Sequence, residues 1–469
     1  MMLHGTNMWN FDDYQPIGKW DEHPIVVTRI VPDDEGFLLS WRDPGQAGGG
    51  YTVRWHDVEG VDHGSCAVNE AHVHVSGLCE GHTYEVTVSG ARDGAASQPR
   101  LLRCGDAPGT IVNYLHPRDG AYGFSGRFLA SPSLVVLPSG RLLVSMDVFE
   151  WHGGQNLTVV FLSEDHGRSW HYLTQLFPCF WGAMFVSRGT LYMLAMATEY
   201  GDLLLGASHD EGKTWSAPVP LFRSSANGAV GGLHKAPTPV VEANGRIVTA
   251  IDYGSWETGG FRQAILSCDV QADPMDPESW RLSSLCDPRK GLLDDEGISG
   301  GGLEGNVLVG PGMEIYDMLR LQIDSSVGNP HPRALLLRAD PSLGSLHYVR
   351  TVPYGGGNNA KFFVLYDPVS GKYWAAGNEP APGHPDARNV LALSCSDDLT
   401  DFKPVCCIVD GSSGDPRFVA AQYPSMAIDG DDLLVVSRTA ANDADSYHNS
   451  NYITFHVVKD FRSCGQMAR

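Results

Sequence analysis

Two eight-residue stretches share one pattern. Ser163-Glu164-Asp165-His166-Gly167-Arg168-Ser169-Trp170 and Ser208-His209-Asp210-Glu211-Gly212-Lys213-Thr214-Trp215 both read S-x-D-x-G-x-[ST]-W, 45 residues apart. Each follows an apolar run, Thr158 to Leu162 and Leu203 to Ala207, and precedes another. That placement predicts a tight turn between two strands. Asp165 and Asp210 can accept backbone amides of their own turn, and Gly167 and Gly212 can take the positive φ it needs. Trp170 and Trp215 can bury a ring beneath the hairpin. A chain that repeats such a turn is constrained to an architecture of repeated hairpins.

Composition agrees. The 469 residues include 54 Gly and 29 Pro, with only 19% charged, which favours a turn-rich all-β protein. The formal net charge of −22 argues against nucleic acid and anionic membranes as partners. An anionic substrate would need a local cluster of arginines. The ten cysteines show no zinc-like or C-x-x-C arrangement, with Cys406 and Cys407 adjacent. Residues 1–23 contain no basic segment followed by an apolar run, and no apolar stretch reaches membrane-spanning length. These features lead to the expectation of reduced thiols and a cytoplasmic protein, or a secreted one if a leader has been removed.

Residues 1–23 are read as a locally packed tail and 24–104 as a separate β-sandwich. Strand-like runs recur there at Ile25–Ile30, Gly36–Trp41, Tyr51–His56, His72–Val75, Tyr84–Ser89 and Arg100–Arg103. Phe37-Leu38-Leu39-Ser40-Trp41, Tyr51-Thr52-Val53-Arg54-Trp55 and Leu78-Cys79-Glu80-Gly81-His82-Thr83-Tyr84 resemble two strands and the tyrosine corner of a fibronectin type III domain. Such a module is expected to position a partner domain.

From Asp106 onward one unit repeats: an apolar strand, a tight turn, a second strand and one or two outer strands. Six first strands are read, at Ser131–Leu137, Gly182–Val186, Thr238–Val241, Asn306–Val309, Phe362–Tyr366 and Ser425–Ile428. The spacing is that of propeller blades. Residues 105–469 are therefore expected to form a six-bladed β-propeller, with a seventh, degenerate blade built partly from Thr110–Leu115 left open. The S-x-D-x-G-x-[ST]-W turns resemble the Asp-box (BNR) repeat of the sialidase superfamily of β-propellers. That resemblance implies outer hairpins away from the active site. Residues 394–402 look like a decayed third copy.

In a propeller the starts of first strands and the ends of second strands meet around the central channel. The starts supply Arg127 to Ser131, Trp181, His234-Lys235, Glu304 with Asn306, Asn358-Asn359 with Lys361, and Gln422-Tyr423. The ends supply Asp147, Glu199, Asp252, Arg320, Asn378 and Arg438. So many ionisable groups in one concavity describe an active site better than a scaffold.

The sialidase resemblance then assigns roles. Tyr423 matches the nucleophile, Glu304 the base that draws off its proton, and Arg320 one arginine of the carboxylate clamp. Asp147 or Asp252 is the acid candidate, although either could instead hold an arginine in place. An adjacent carboxylate makes a tyrosine a competent nucleophile, and arginine binds both oxygens of a carboxylate. The chain departs from the family at Ala130-Ser131-Pro132, where sialidases carry an Arg-Ile-Pro, and at Asn378, where another arginine is expected. Arg127, Arg438 and Lys361 are candidate replacements, and Trp181, Asn306, Asn359 and Gln422 candidate substrate contacts.

His234 has no sialidase counterpart. It resembles the histidine of propeller rhamnosyl-glucuronate hydrolases and lyases and of ulvan lyases, where a His or Tyr removes a proton beside a uronate carboxylate. The leading expectation is an exo-acting glycoside hydrolase releasing a terminal acidic sugar from an oligosaccharide or polysaccharide. A uronate lyase using His234 and Tyr423 is the rival, and a non-catalytic glycan-binding propeller the third reading. His72, His74, His152, His166 and His209 are read as structural. No spacing indicates a metal or other cofactor, though an Asp and Asn rim leaves calcium open.

Overall fold

In the computed structural model nearly all regular structure is β. The structure describes Trp9 and residues 25–43, 50–91, 95–288, 298–323, 332–358, 360–381, 384 and 386–464. The first seven strands form two facing sheets. One joins Val26–Asp33, Gly36–Arg42 and His72–Ser76; the other joins Asp62–Val68, Tyr51–Asp57, Thr83–Gly90 and Arg100–Arg103. Phe37, Leu39, Trp41, Val53, Tyr84 and Val86 fill the space between them. The polar strand Asp62–Val68 lies where the sequence suggested no strand; it is a half-exposed edge and has little apolar pattern to show.

Six further sheets follow in order, each a run of antiparallel neighbours. Blade 1 contains Phe128–Val136, Leu142–Phe149, Leu157–Ser163 and His171–Leu176. Blade 2 contains Phe180–Ser187, Thr190–Met196, Leu203–Ser208 and Val219–Phe222. Blade 3 has an interrupted inner strand, Gly232–His234 then Val240–Ala243, followed by Arg246–Ser255, Gly260–Asp269 and Trp280–Leu282. Blade 4 runs Ile298–Val309, Ile315–Ile323, Arg333–Ala339 and Leu346–Pro353. Blade 5 runs Phe363–Asp367, Lys372–Asn378, Val390–Ser396 and Lys403–Asp410. Blade 6 takes Ala420–Asp429, Asp432–Ala440 and Tyr452–Val458, and borrows Thr110–Tyr114 as its outermost strand. The segment considered for a seventh blade therefore completes the sixth.

The alternation of buried residues on both faces of each sheet leaves every blade dependent on its neighbours. Val307, Leu319 and Leu335 of blade 4 pack on Val248 and Ile265 of blade 3. Leu434, Val436 and Ile453 of blade 6 pack on Leu134, Val144 and Met146 of blade 1, which closes the ring. Trp9 is fully buried between blades 1 and 2, donating its indole N–H to Pro178 O at 2.9 Å. The sandwich shares a core with blade 6 through Tyr114 and Tyr452. Arg29 caps the carbonyls of Ile111 and Val112 at 2.6 and 2.9 Å, and Arg100 pairs with Asp119 at 2.6 Å in a buried setting. Among the described residues no helix is long and apolar enough to cross a membrane.

The two S-x-D-x-G-x-[ST]-W turns join the third and fourth strands of blades 1 and 2, at the outside of the ring. In both, the Asp accepts the amide of the Ser169 or Thr214 position at 2.9 Å and its hydroxyl at 2.7 or 2.6 Å. The glycine amides donate to Ser163 and Ser208 at 2.8 Å. Trp170 and Trp215 are buried, as the sequence pattern predicts.

Candidate active site

The inner strands of four blades break register at one equivalent place. Ladder pairing is interrupted around Ser131-Pro132, Trp181-Gly182, Glu304-Gly305 and Tyr423-Pro424. The first residue of each pair has a left-handed backbone, with φ of 44°, 53°, 58° and 51°. Such bulges re-aim a side chain. All four side chains line a single cavity of about 390 Å³. Blade 3 contributes His234 to the same wall.

A bulge leaves amides without ladder partners, and burial makes such orphans costly. At the bulges of blades 2 and 4 the preceding blade supplies an acceptor. Asp252 Oδ2 of blade 3 accepts the Glu304 amide at 2.9 Å and lies 3.0 Å from His234 Nδ1. Asp147 of blade 1 interacts with the amides of Trp181 and Gly182 and accepts the Thr158 hydroxyl at 2.7 Å. Burial pushes the Asp147 carboxyl up to about 8 against these hydrogen bonds. Neither Asp147 nor Asp252 lines the cavity. The two expected acids stand behind the wall, where they hold backbone amides, the Thr158 hydroxyl and His234 and not the arginine that the sequence reading allowed as their alternative role.

Positive charge gathers on the opposite side. Arg320 Nε lies 2.6 Å from Glu304 Oε2, both buried, and the guanidinium also interacts with Tyr423. Burial works against the Arg320 charge, and Glu304 and Tyr423 more than restore it. Arg438 sits 5.3 Å above the Tyr423 ring and Arg388 5.5 Å from it. Burial lowers Arg438 to about 10, with Arg388 adding repulsion and Tyr423 and Glu304 opposing both. Burial and the same arginines hold His448 well below the usual histidine range.

Arg388 is the residue that sequence reasoning missed. Blade 5 has Asn378 at its second-strand end, and Asn378 Nδ2 donates to Arg388 O, Val390 O and Ala421 O at 3.1, 3.1 and 2.7 Å. The asparagine thus fixes the loop that delivers an arginine ten residues later. An arginine ending a Pro- and Gly-rich connection, Glu379 to Asp386, was the available signal.

Several other candidates are corrected. Arg127 is 45% exposed at its side chain, forms an ion pair with Glu150 and does not line the cavity. Lys361 is fully buried, with Nζ 2.5 Å from Pro424 O, where it supports the Tyr423 bulge from below; burial lowers it to about 7. Asn306 accepts Val364 N at 3.0 Å and donates to Glu304 O at 3.2 Å, stitching blades 4 and 5. Gln422 accepts from Arg388 Nη1 at 2.7 Å and so orients that arginine. These three sit at the strand ends the sequence indicated but face the wall interior. Asn359 lies outside the described residues. Tyr423, Glu304, His234, Trp181, Arg320 and Arg438 all line the cavity, as does Glu199, which accepts from Gln155 at 3.0 Å. Among the described residues no group of three or more His, Cys, Asp or Glu is arranged to hold a metal ion.

No protein-family model and no curated protein matches the chain. Among solved structures it is similar to the α-L-arabinanase of Penicillium chrysogenum complexed with arabinobiose. The TM-score is 0.50 at 13% identity, over 75% of this chain and 98% of that one. It is also similar to Trypanosoma rangeli sialidase in complex with the inhibitor DANA. There the TM-score is 0.51 at 15% identity, over 72% of this chain and 56% of that one. The likeness is one of fold: the chain carries a β-propeller similar to those of both proteins.

Proposed function

We propose that the chain is an exo-acting glycoside hydrolase of sialidase type that releases a terminal acidic sugar. The observation that carries the reading is the convergence of Arg320, Arg388 and Arg438, from three successive blades, on the ring of Tyr423, with Glu304 alongside. Three buried guanidinium groups around one phenol match an anionic ligand. A cavity of about 390 Å³ stands near the small end of the range for ligand pockets, about 300–1,000 Å³, and suits a chain end.

The chemistry follows from the placement. The arginines take the sugar carboxylate and present the anomeric carbon to Tyr423 Oη. Tyr423 attacks as Glu304 accepts the phenolic proton, which splits a difficult substitution into two easier ones. His234, fixed by Asp252 through Nδ1, protonates the leaving oxygen from the far wall. Water then attacks the tyrosyl-linked sugar with His234 as base, and Glu304 returns the proton to Tyr423. The carboxyl-bearing acid expected from sequence is replaced here by a His–Asp dyad. Support for an acidic substrate comes from the arginines, and support for glycoside chemistry from the paired Tyr423 and Glu304 on a propeller of this kind.

The test is incubation with glycans ending in sialic acid, glucuronate or rhamnosyl-glucuronate, followed by product mass and anomeric configuration. Release of a saturated acidic sugar with retained configuration is expected. Tyr423→Phe and Glu304→Gln should each lower kcat by about 10³-fold or more, since a nucleophile and its base act as one unit. Arg388→Ala should raise KM for the acidic sugar by about tenfold or more. An unsaturated product dependent on His234 would replace this reading with elimination. Binding without turnover, unaffected by Glu304→Gln, would replace it with a glycan-binding propeller.

A further inference from the structure

The space between blades 1 and 2 is filled by a residue that belongs to neither. Trp9 lies in no strand, and its hydrogen-bond acceptor Pro178 O is 169 positions away along the chain. The Trp9 ring is fully buried, with the Trp215 ring edge-on at 6.1 Å. Leu143 and Val160 of blade 1 and Met184, Met193 and Leu204 of blade 2 complete the wall. A large apolar ring with an N–H donor thus meets an apolar slot that offers a carbonyl to that donor at 2.9 Å.

The repeat shows where the room comes from. Two places before the serine of the S-x-D-x-G-x-[ST]-W turn stands Phe161 in blade 1 and Gly206 in blade 2. Phe161 is buried in the core that blade 1 shares with blade 6. Gly206 stands inside the strand Leu203–Ser208, and a glycine inside a strand marks a place of close approach. A Cβ there would stand 2.1 Å from the Trp9 ring. Blade 1 carries the ring in its own strand, whereas blade 2 leaves room for one and receives it from elsewhere in the chain. A site filled from outside the repeat is a receptor site, here for an indole.

The slot also backs the cavity. Pro178 stands just before Cys179-Phe180-Trp181, and Trp181 lines the cavity. A Cβ on Gly182 would stand 2.5 Å from Met193 Sδ and 3.7 Å from Cys179 Sγ, both on residues of the slot wall. The Cys179 carbonyl accepts the Thr158 hydroxyl at 3.0 Å. That hydroxyl also reaches Asp147, which holds the Trp181 and Gly182 amides. An indole in the slot therefore fixes both the packing and the hydrogen bonds behind Trp181.

We propose that the space between blades 1 and 2 is a binding site for an indole, occupied in cis by Trp9, and that its occupancy sets the geometry of the Trp181 bulge. Trp9 is then an intramolecular ligand of the propeller. This role is independent of the reaction in the cavity.

The test takes the ring away and returns it. In the full chain, Trp9→Ala should lower the melting temperature. Free indole should bind that variant saturably, followed by calorimetry, and raise its melting temperature again. The wild type, with its slot filled, should show neither effect. 1-Methylindole cannot donate to Pro178 O and should bind about fivefold more weakly than indole. Coupling is read by replacing the 11 tryptophans with 5-fluorotryptophan and assigning Trp181 through Trp181→Phe. The Trp181 fluorine signal should move in Trp9→Ala and return at saturating indole. Absence of indole binding overturns the site, and binding that leaves the Trp181 signal unmoved overturns the coupling. If Trp9→Ala does not fold, refolding from urea decides: recovery with indole alone supports the site, and failure with and without it overturns the site. Gly206→Ala puts the same question to a chain that keeps Trp9. The added methyl should displace the ring and open the Trp9 fluorine signal to a soluble paramagnetic quencher. A Trp9 signal that stays shielded overturns the slot as drawn.

Discussion

The outer turn of blade 1 and the inner bulge of blade 2 solve one problem with one device and reach opposite acid strengths. In both places the chain takes a left-handed backbone, leaves amides without ladder partners, and brings an aspartate to accept them. At the outer turn of blade 1 the acceptor is Asp165, two residues from Gly167, in contact with solvent. The Ser169 hydroxyl and amide hold it down to about 2. At the inner bulge of blade 2 the acceptor is Asp147, contributed by the neighbouring blade and wholly buried, and burial pushes it up to about 8. The difference is the distance in sequence between donor and acceptor, and the dielectric around them. The outer device is local and wet; the inner is non-local and dry. The side chains at the left-handed positions differ too. Outside, His166 and Glu211 point outward beside a glycine; inside, Ser131, Trp181, Glu304 and Tyr423 face a cavity. Backbone strain borne by chemically active residues marks a functional site more strongly than strain at a glycine turn.

The largest stability effect should come from the outer device. Gly167 has φ of 82°, and a Cβ there would stand 2.1 Å from the Phe455 ring. Gly167→Ala should cost about 2–5 kcal/mol, combining the left-handed penalty with overpacking. Gly212→Ala meets the flexible ends of Leu143 at 2.9 Å, Leu173 at 3.4 Å and Leu191 at 3.5 Å, so about 1–2 kcal/mol is expected. Urea melts would measure both. Neither should change the turnover proposed for the folded protein; a fall in kcat would break the division between scaffold turn and functional bulge.

Asp147→Asn tests the dry half of the comparison. The native carboxyl holds its proton up to about 8, whereas the unfolded chain releases it near the ordinary carboxylate value. The protonated group therefore contributes stability that is complete at low pH and lost as pH rises through about 8. Asparagine cannot ionise. Relative to the wild type, the variant should gain about 2 kcal/mol between roughly pH 6 and pH 9. Asp165→Asn should show no such gain in that window, because its shift is downward and acts at acid pH. Parallel pH profiles for the two variants would erase the distinction.

The same contrast explains what could be read from the sequence. The outer turns were legible because eight consecutive residues contain the acceptor, the glycine and the tryptophan. The inner positions of Trp181, Glu304, His234 and Tyr423 were legible because a repeat fixes which strand end faces the channel. The roles of Asp147 and Asp252 were not, since the backbone amides they accept belong to the next blade. Lys361, Asn306 and Gln422 sit at correctly located strand ends, yet a local bulge decides which side faces the cavity. Arg388 was hidden because its loop is placed by Asn378 through carbonyls of two blades. Thr110–Leu115 was read as part of a possible seventh blade, and the closing role of Thr110–Tyr114 was hidden for the same reason, since it pairs with Tyr452–Val458 at the far end of the chain.

The smallest effect gives the sharpest reading of the inner bulge. Ser131 is the one left-handed residue of the four inner bulges without a ring or charge, and it is 3% exposed with φ of 44°. Ser131→Gly removes a side chain too small to leave a large void. It lifts a left-handed penalty of about 1–2 kcal/mol and returns about 0.4–1 kcal/mol through the greater freedom of the unfolded chain. A net gain of about 0.5–1 kcal/mol is expected in a urea melt, accompanied by a several-fold drop in turnover as the bulge loses its fixed geometry. Loss of stability would show that the bulge is relaxed and that its serine is held for packing. A gain in stability with full turnover would assign the strain at this blade to the fold, and leave Trp181, Glu304 and Tyr423 as the bulges that carry the chemistry.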